Sequence, residues 1–171
     1  MTVRYAGIGS RDTPENVLRQ MKRIASYLGK AGYTLVTGRA KGADQAFEAG
    51  ATKVKASVEL WVPWCGFEDA PLNAGTPSTA ALEMAEKFHP KWDACSQGAK
   101  KLHARNCHQI LGVKLNKPVA FVVCWTKDGG ATGGTGQAMR IATAHGVPIF
   151  NLFNHDYSDF KTWKLNIPPR S

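Results

Sequence analysis

A glycine-rich turn after a buried strand carries the strongest chemical signal in this sequence. The turn contains, in order, Gly133, Gly134, Thr135 and Gly136. It follows the apolar segment 119–125, which is typical of a strand buried on both faces, and it precedes a helical pattern of apolar residues over 137–145. This order of elements presents free backbone N–H groups at the positive end of a helix dipole, which favours a phosphate or another anion. The alternative is a turn that only connects a strand to a helix.

Two earlier turns have the same character. The first predicted strand is followed by Gly9, Ser10 and Arg11. The second predicted strand runs into a turn that supplies glycines, cations and a carboxylate, namely Gly38, Arg39, Lys41, Gly42 and Asp44. Ligands of open parallel sheets bind beyond the carboxyl ends of the strands, so the three turns are predicted to meet at one ligand-binding edge. Their cations, hydroxyl groups and N–H groups suit phosphate, whereas Asp44 either accepts from a ribose hydroxyl or caps its own helix.

Strands and helices alternate along the chain. The predicted strands are 3–8, 33–36, 57–62, 118–125 and 147–153, and helices are predicted to begin near Pro14, Ala43, Thr76, Asp93 or Cys95, and Gln137. This alternation predicts an α/β, Rossmann-like open sheet that is mainly parallel, with helices on both faces. We expect residues 1–153 to form one nucleotide-binding domain. The tail 154–171 is predicted to pack on the same domain through one short helix, with an extended end at 167–169.

The predicted helix that ends at Leu111 adds two polar candidates. Leu102, Asn106 and Ile110 fall on one helical face, so the Asn106 amide points inward and needs hydrogen-bond partners there. Arg105 lies beside it on the flank of the same face. Asn106 therefore either holds a loop from within the core or contacts the ligand, and both residues are candidates for the binding site.

Composition favours an anionic partner. The 171-residue chain has a formal net charge of +9, from 22 Lys and Arg against 13 Asp and Glu, which suits nucleotides or nucleic acid. Because the cations are dispersed, a merely solvated basic surface is the alternative. No apolar run is long enough for a membrane span, and the stretch Met1–Arg4 has no signal-peptide pattern. The four cysteines lack CxxC spacing, so we expect a reduced, cytoplasmic protein without a membrane partner.

Several common site types are not predicted. The sequence has no GxxxxGK[ST] motif and no GxGxxG after the first strand, which disfavours a P-loop ATPase and an ordinary NAD dehydrogenase. His103 and His108 are five residues apart, which is not the i, i+4 spacing of a helical metal pair. We therefore predict neither a metal site nor a cofactor.

The order of the three turns resembles the SLOG superfamily. This Rossmann-like group contains the DNA-processing protein A/Smf proteins, the lysine-decarboxylase-like LOG enzymes and the YspA-like proteins. The resemblance covers most of the chain from Thr2 to Leu152 and extends to Ala46 and to Gly50–Ala51 in the helix after the second strand. It implies binding of nucleotides, nucleotide-derived signals or single-stranded DNA, together with self-association into a homo-oligomer.

One departure from the family pattern bears on catalysis. LOG enzymes carry PGGxGTxxE, but the matching segment 132–140 has no proline before its glycines and no glutamate after them. The expected function is therefore binding of a nucleotide or an ADP-ribose-like ligand, as a sensor or a sequestering protein. An N-glycosidic hydrolase or transferase that uses Asp44 or Glu48 is the alternative, and single-stranded DNA binding is the second alternative. No catalytic residue is assigned, and enzymatic activity stays open.

Overall fold

Five short strands form one parallel sheet. In the computed structural model, which describes residues 2–168, the strands are β1 Arg4–Gly7, β2 Thr34–Thr37, β3 Val58–Leu60, β4 Val122–Cys124 and β5 Ile149–Asn151. Their order is β3-β2-β1-β4-β5, and every strand pairing within the described residues is parallel. The central strand β1 pairs Ala6 with Val36 on one side and with Val122 on the other. The predicted Rossmann-like α/β fold is confirmed.

Helices cover both faces of the sheet. They are α1 Glu15–Lys30, α2 Ala43–Lys53, α3 Thr79–Phe88, α4 Gln97–Leu111, α5 Gly133–Ala144 and α6 Tyr157–Asn166. One face carries α1, α2 and α6, whose core is centred on Phe47, Phe121 and Phe160. The other face carries α3, α4 and α5, whose core includes Ile110 and Ile141. The sheet therefore lies between two separate apolar layers.

The first helix shows how the pattern of apolar residues becomes structure. Val17, Met21, Ile24 and Leu28 are spaced for one helical face, and all four are buried. The helix begins at Glu15, with Pro14 as its N-cap residue. Thr13, which precedes the N-cap residue, donates its hydroxyl hydrogen to the carbonyl oxygen of Ser10 at 2.6 Å, so it closes the β1–α1 turn.

The start of the helix after the glycine turn was predicted too late in the sequence. Helix α5 begins at Gly133, four residues before the predicted start, and its N-cap is Thr132. The N–H of Gly136 donates to the Thr132 carbonyl at 2.8 Å, which closes the first turn over the glycines. Helices α3 and α4 begin later than predicted because Ser78 and Ser96 cap them through their side-chain oxygens.

The tail helix α6 packs back onto the α1 side of the sheet. A capping box between Asp156 and Asp159 fixes its start. Its Phe160 side chain is fully buried and meets Phe150 and Phe121 at ring-centroid distances of 5.6 and 6.2 Å. Of the extended end predicted for 167–169, residue 169 lies outside the described residues. Within residues 2–168, no helix has the length and apolar character needed to cross a membrane.

Candidate functional site

A cleft of about 620 Å³ opens beyond the carboxyl ends of β1, β2 and β4. The chain leaves β1 toward β2 and β3 on one side of the sheet, and β4 and β5 lie on the other side. Open α/β sheets bind ligands at this kind of topological switch point. The volume falls within the range of about 300–1,000 Å³ that is usual for ligand pockets.

Four segments bring predicted site residues to the cleft. The predicted residues that line it are Gly9, Ser10, Arg11, Asp44, Arg105, Asn106, Gly133, Gly134 and Thr135. The predicted residues that do not line it are Gly38, Arg39, Lys41, Gly42 and Gly136. The first and third turns thus face the cleft directly, whereas the second turn contributes mainly through Asp44.

Arg39 points away from the cleft. Its backbone is left-handed, with φ of 62°, and its Nε donates to Glu48 Oε1 at 2.8 Å. Its Nη1 also reaches the carbonyl oxygen of Asp69 at 3.4 Å. The same ion pair engages Glu48, which does not line the cleft either. Neither side chain is therefore positioned for a ligand in the cleft.

The first turn of α5 offers free donors to the cleft. No side chain caps this helix, and the first N–H to find a backbone acceptor is that of Gly136. Among residues 2–168, the N–H groups of Gly133, Gly134 and Thr135 therefore have no hydrogen-bond partner. All three residues line the cleft. A helix end of this kind carries about half a positive charge, which attracts an anion.

Two glycines that do not line the cleft are required because neighbouring atoms leave no room for a Cβ. A Cβ at Gly136 would overlap the backbone of Ala131, where the loop before α5 folds under the helix. A Cβ at Gly38 would overlap the guanidinium group of Arg105. These glycines therefore permit the packing behind the cleft rather than contact with a ligand.

Arg105 and Asn106 connect the turns across the back of the cleft. The Arg105 Nη1 donates to the carbonyl oxygens of Gly38 at 2.7 Å and Trp61 at 3.1 Å, and its Nε donates to Asn106 Oδ1 at 3.0 Å. The Asn106 Nδ2 donates in turn to the carbonyl oxygen of Gly134 at 3.2 Å. Asn106 thus holds a loop from within and also lines the cleft. Among the described residues, Nη2 of Arg105 has no hydrogen-bond partner, so it is available to a ligand.

Asp44 is a buried carboxylate in the cleft wall. Its side chain is 4% exposed, and its Oδ2 accepts from the Ala40 N–H at 3.2 Å. It does not act as the N-cap of α2, because that position belongs to Gly42, which has no side chain. Burial raises the pKa of Asp44 from 3.8 to about 6, although the charge of Arg105 and the Ala40 N–H lower it. Its proton therefore titrates close to neutral pH.

The remaining charges make the cleft cationic at its mouth. The exposed side chains of Arg11 and Lys127 line it, together with one exposed carboxylate, Asp12. Burial lowers the pKa of Arg105, but an arginine in this setting keeps its charge. Burial and the neighbouring His89, Arg140 and Arg105 lower the pKa of His103 to about 4, so this imidazole is neutral at pH 7.

The lining residues that sequence reasoning missed include Gln109, Lys127 and His103. Gln109 is 1% exposed, and its Nε2 is buried without a hydrogen-bond partner among the described residues. It lies four residues after Arg105, so helical spacing from that residue would have placed it on the same face. Lys127 comes three residues after the end of β4, and His103 lies on the lining face of α4. An unpaired buried amide in a cleft wall is a donor that a bound ligand can use.

The fold and the cleft define a Rossmann-like α/β protein with an anion-suited cleft at the switch point of its sheet. Its overall structure is similar to that of DNA processing protein A from Helicobacter pylori, with a TM-score of 0.57 and 19% identity over 97% of this chain and 74% of that chain. It is also similar to the Moco carrier protein from Chlamydomonas reinhardtii, with a TM-score of 0.53 and 16% identity over 97% and 85% of the two chains. These likenesses confirm the predicted Rossmann-like α/β fold.

Sequence comparison adds no further relative. No protein-family model matches this chain, and no curated protein matches it significantly. What the cleft binds must therefore be inferred from its own residues.

Proposed function

We propose that the cleft binds a nucleotide or a nucleotide-derived ligand through its phosphate group. The observation that carries this proposal is the uncapped first turn of α5, where the N–H groups of Gly133, Gly134 and Thr135 have no partner among the described residues. They face a cleft that also holds Arg11 and Lys127. Backbone donors at a helix N-terminus, combined with nearby cations, are the usual chemistry of phosphate recognition.

The rest of the cleft suits the other parts of such a ligand. Ile8, Leu102 and Ala138 give it an apolar wall that can pack against a base. Oδ1 of Asp44 accepts no hydrogen bond from the described residues, so it is an acceptor for a ribose hydroxyl. Nε2 of Gln109 and Nη2 of Arg105 are donors for polar atoms of the sugar or base. A phosphate alone would leave these groups unused.

The similar structures support a binding role in general terms. One belongs to a protein named as a carrier of the molybdenum cofactor, and the other to a protein described by its mode of binding single-stranded DNA. We propose the small-molecule role for this chain, as a sensor or a sequestering protein that self-associates in the cytoplasm. The lining of the cleft supports this choice, because it brings donors, cations and an apolar wall around one ligand-sized volume. The cations of the chain are dispersed along the sequence rather than gathered in a block.

A second candidate function rests on Asp44. It is a buried carboxyl group in the cleft whose pKa is raised to about 6, as in groups that transfer protons in enzymes. Glu48, the other carboxylate considered for this role, is engaged by Arg39 outside the cleft. Cleavage of an N-glycosidic bond would therefore depend on Asp44.

Calorimetric titration tests the binding proposal. Nucleoside mono- and diphosphates, ADP-ribose, inorganic phosphate and a single-stranded oligonucleotide are titrated separately at two salt concentrations. We expect one phosphorylated nucleoside to bind more tightly than inorganic phosphate. If only the oligonucleotide binds, with an affinity that falls steeply with salt, single-stranded DNA binding would replace nucleotide binding as the proposed function. Absence of binding by every compound would refute the proposal.

Two substitutions of Gly134 test whether the phosphate binds at the first turn of α5. The added Cβ of Gly134→Ala meets only the His103 Cε1 at 3.9 Å, so this variant keeps the cleft intact. Gly134→Asp adds a negative charge at the same place, and we expect it to abolish binding that Gly134→Ala retains. Equal binding by both variants would exclude the α5 turn as the phosphate site. Chromatography of the incubated nucleotide then decides between binding and catalysis, because catalysis releases free base and Asp44→Asn should stop that release.

A further inference from the structure

Three side chains with metal-ligating atoms lie together where α3 ends and α4 begins. His89 directly follows α3, Cys95 precedes the cap residue of α4, and His103 lies in the second turn of α4. One ligand atom from each residue lies within 4.8 Å of the other two. All three side chains are half-buried, and Cys95 is a free thiol. The chain therefore brings two imidazoles and one thiol to one point.

The spacing is close to that of a tetrahedral zinc site. Zinc bonds of about 2.3 Å to sulfur and about 2.0 Å to nitrogen, at a tetrahedral angle, place the sulfur and nitrogen about 3.5 Å apart. The Cys95 Sγ lies 3.6 Å from Nε2 and 3.8 Å from Nδ1 of His89. The rings of His89 and His103 have their centroids 4.5 Å apart. The three ligand atoms therefore lie near metal-binding spacing, and rotation of the side chains would aim the imidazole nitrogens at a shared ion.

We propose that His89, Cys95 and His103 bind one divalent transition-metal ion of the zinc class. Thiolate and imidazole ligands favour zinc over magnesium and calcium, which require oxygen ligands. Three protein ligands leave the fourth tetrahedral position open to water or to an added ligand, as in zinc sites that are not purely structural.

A second observation supports the assignment. The Nδ1 of His103 and the Oε1 of Gln137 are both buried and lack a hydrogen-bond partner of good geometry among the described residues. The Gln137 amide is nevertheless close enough to His103 to raise its pKa slightly. Ligating histidines commonly give their second ring N–H to such an oxygen, which orients the ring toward the metal. Gln137 is therefore placed to orient His103.

Metal binding would replace two existing contacts with Lys91. The Cys95 thiol donates to the Lys91 carbonyl oxygen at 3.6 Å, and the His89 Nδ1 accepts from the Lys91 N–H at 3.0 Å. Coordination by Nδ1 replaces this bond, and coordination by Nε2 moves the ring proton to Nδ1, so either mode breaks it. Lys91 is exposed, so its N–H then bonds to water at little cost. The ion also displaces the thiol proton of Cys95, so binding strengthens as the pH rises.

The proposed metal site and the proposed nucleotide site share one residue. Of the three ligands, only His103 lines the cleft. Failure of one proposal nevertheless leaves the other standing. Bound metal would also fix the α3–α4 connection next to the cleft wall.

Metal titration of the full chain without an affinity tag tests the site. Zn²⁺ is titrated in competition with a chromogenic chelator, and Co²⁺ is added as a spectroscopic probe. We expect one ion per chain, together with a thiolate-to-cobalt charge-transfer band and visible bands typical of tetrahedral cobalt. Cys95→Ser should weaken zinc binding more than about 100-fold, the upper end for loss of an outer-shell partner alone. Cys65→Ser, which removes an exposed thiol outside the cluster, should not change it.

A second ligand variant and a folding measurement distinguish loss of a metal ligand from misfolding of the variant. His89→Gln alters a ligand outside the cleft, and thermal unfolding without metal shows whether each variant is folded. Zinc should raise the unfolding temperature of the parent chain and of Cys65→Ser, but not that of Cys95→Ser or His89→Gln. Absence of zinc binding, cobalt spectra without a thiolate band, or equal binding by all variants would overturn the proposal.

Discussion

Replacement of Asp44 by asparagine is expected to stabilise the protein at alkaline pH. Burial raises the pKa of Asp44 from 3.8 to about 6, so the folded chain holds this proton more tightly than the unfolded chain does. Unfolding therefore releases a proton between about pH 4 and pH 6, and the contribution of Asp44 to stability declines as the pH rises through that window. Above the window, the ionised carboxylate costs about 3 kcal/mol relative to the neutral group.

The asparagine side chain imitates the neutral carboxyl group. Its amide oxygen can still accept from the Ala40 N–H, and it carries no charge to bury. The attraction between ionised Asp44 and Arg105 is already part of the raised pKa, because Arg105 is among the groups that lower it. The free energy of unfolding of Asp44→Asn should therefore exceed that of the parent chain by up to about 3 kcal/mol at pH 8. This difference should shrink toward zero near pH 4.

Urea unfolding of both chains across this pH range measures the difference. Other titrating groups change the stability of both proteins alike, so they cancel when one curve is subtracted from the other. Asp12→Asn serves as the matched control, because Asp12 is an exposed carboxylate in the same cleft. Its effect should stay within about 0.5 kcal/mol at every pH. A destabilised Asp44→Asn at pH 8, or a difference that does not vary with pH, would refute this account of the cleft.

Three further predictions concern the cleft and its supports. An anion in the cleft should raise the pKa of Asp44 further, so calorimetry at pH 6.5 in buffers of different ionisation enthalpy should detect proton uptake that Asp44→Asn lacks. Gly136→Ala should lower the free energy of unfolding by about 2 kcal/mol through overlap with Ala131, whereas Gly134→Ala should change it by less than about 1 kcal/mol. Arg39→Gln should leave ligand affinity unchanged but cost about 1.5–3 kcal/mol of stability, since it removes a largely buried ion pair with Glu48 and the contact with the Asp69 carbonyl oxygen.

Most of the fold was predictable from local patterns. The alternation of short apolar runs with helical patterns indicates a parallel sheet, and the buried run around Val122 identified a strand that pairs with neighbours on both sides. Helix starts were less predictable, because Ser78 and Ser96 compete with nearby residues that are equally acceptable as caps. The four-residue error at α5 arose because glycine is a poor helix former, although here the first turn contains three glycines.

The location of the cleft was predictable, but the direction of several side chains was not. Turns that follow parallel strands must meet at one edge, and Arg11 and Gly134 line the cleft at that edge. The left-handed backbone of Arg39 cannot be recognised from sequence, and it turns that side chain to Glu48. Arg105 lies on a helix flank, so nothing local indicated that its side chain would be buried and would donate to two distant carbonyl oxygens.

The cluster of metal-ligating side chains was missed for the same reason. His89, Cys95 and His103 come from a helix end, a connecting segment and a helix turn, so their separation along the chain follows no metal-binding motif. The packing of α3 against α4 brings them together. Sequence spacing reports contacts within one element, whereas this cluster depends on how two helices are joined.

The adjacent residues Arg105 and Asn106 connect two turns beside the cleft to one helix, α4. Arg105 donates to the Gly38 carbonyl oxygen in the turn after β2. Asn106 donates to the Gly134 carbonyl oxygen in the first turn of α5. A ligand that moves either turn must therefore shift α4 or break the hydrogen bond that holds that turn. Because both hydrogen bonds start from neighbouring residues of α4, a substitution that shifts this helix would displace both turns together.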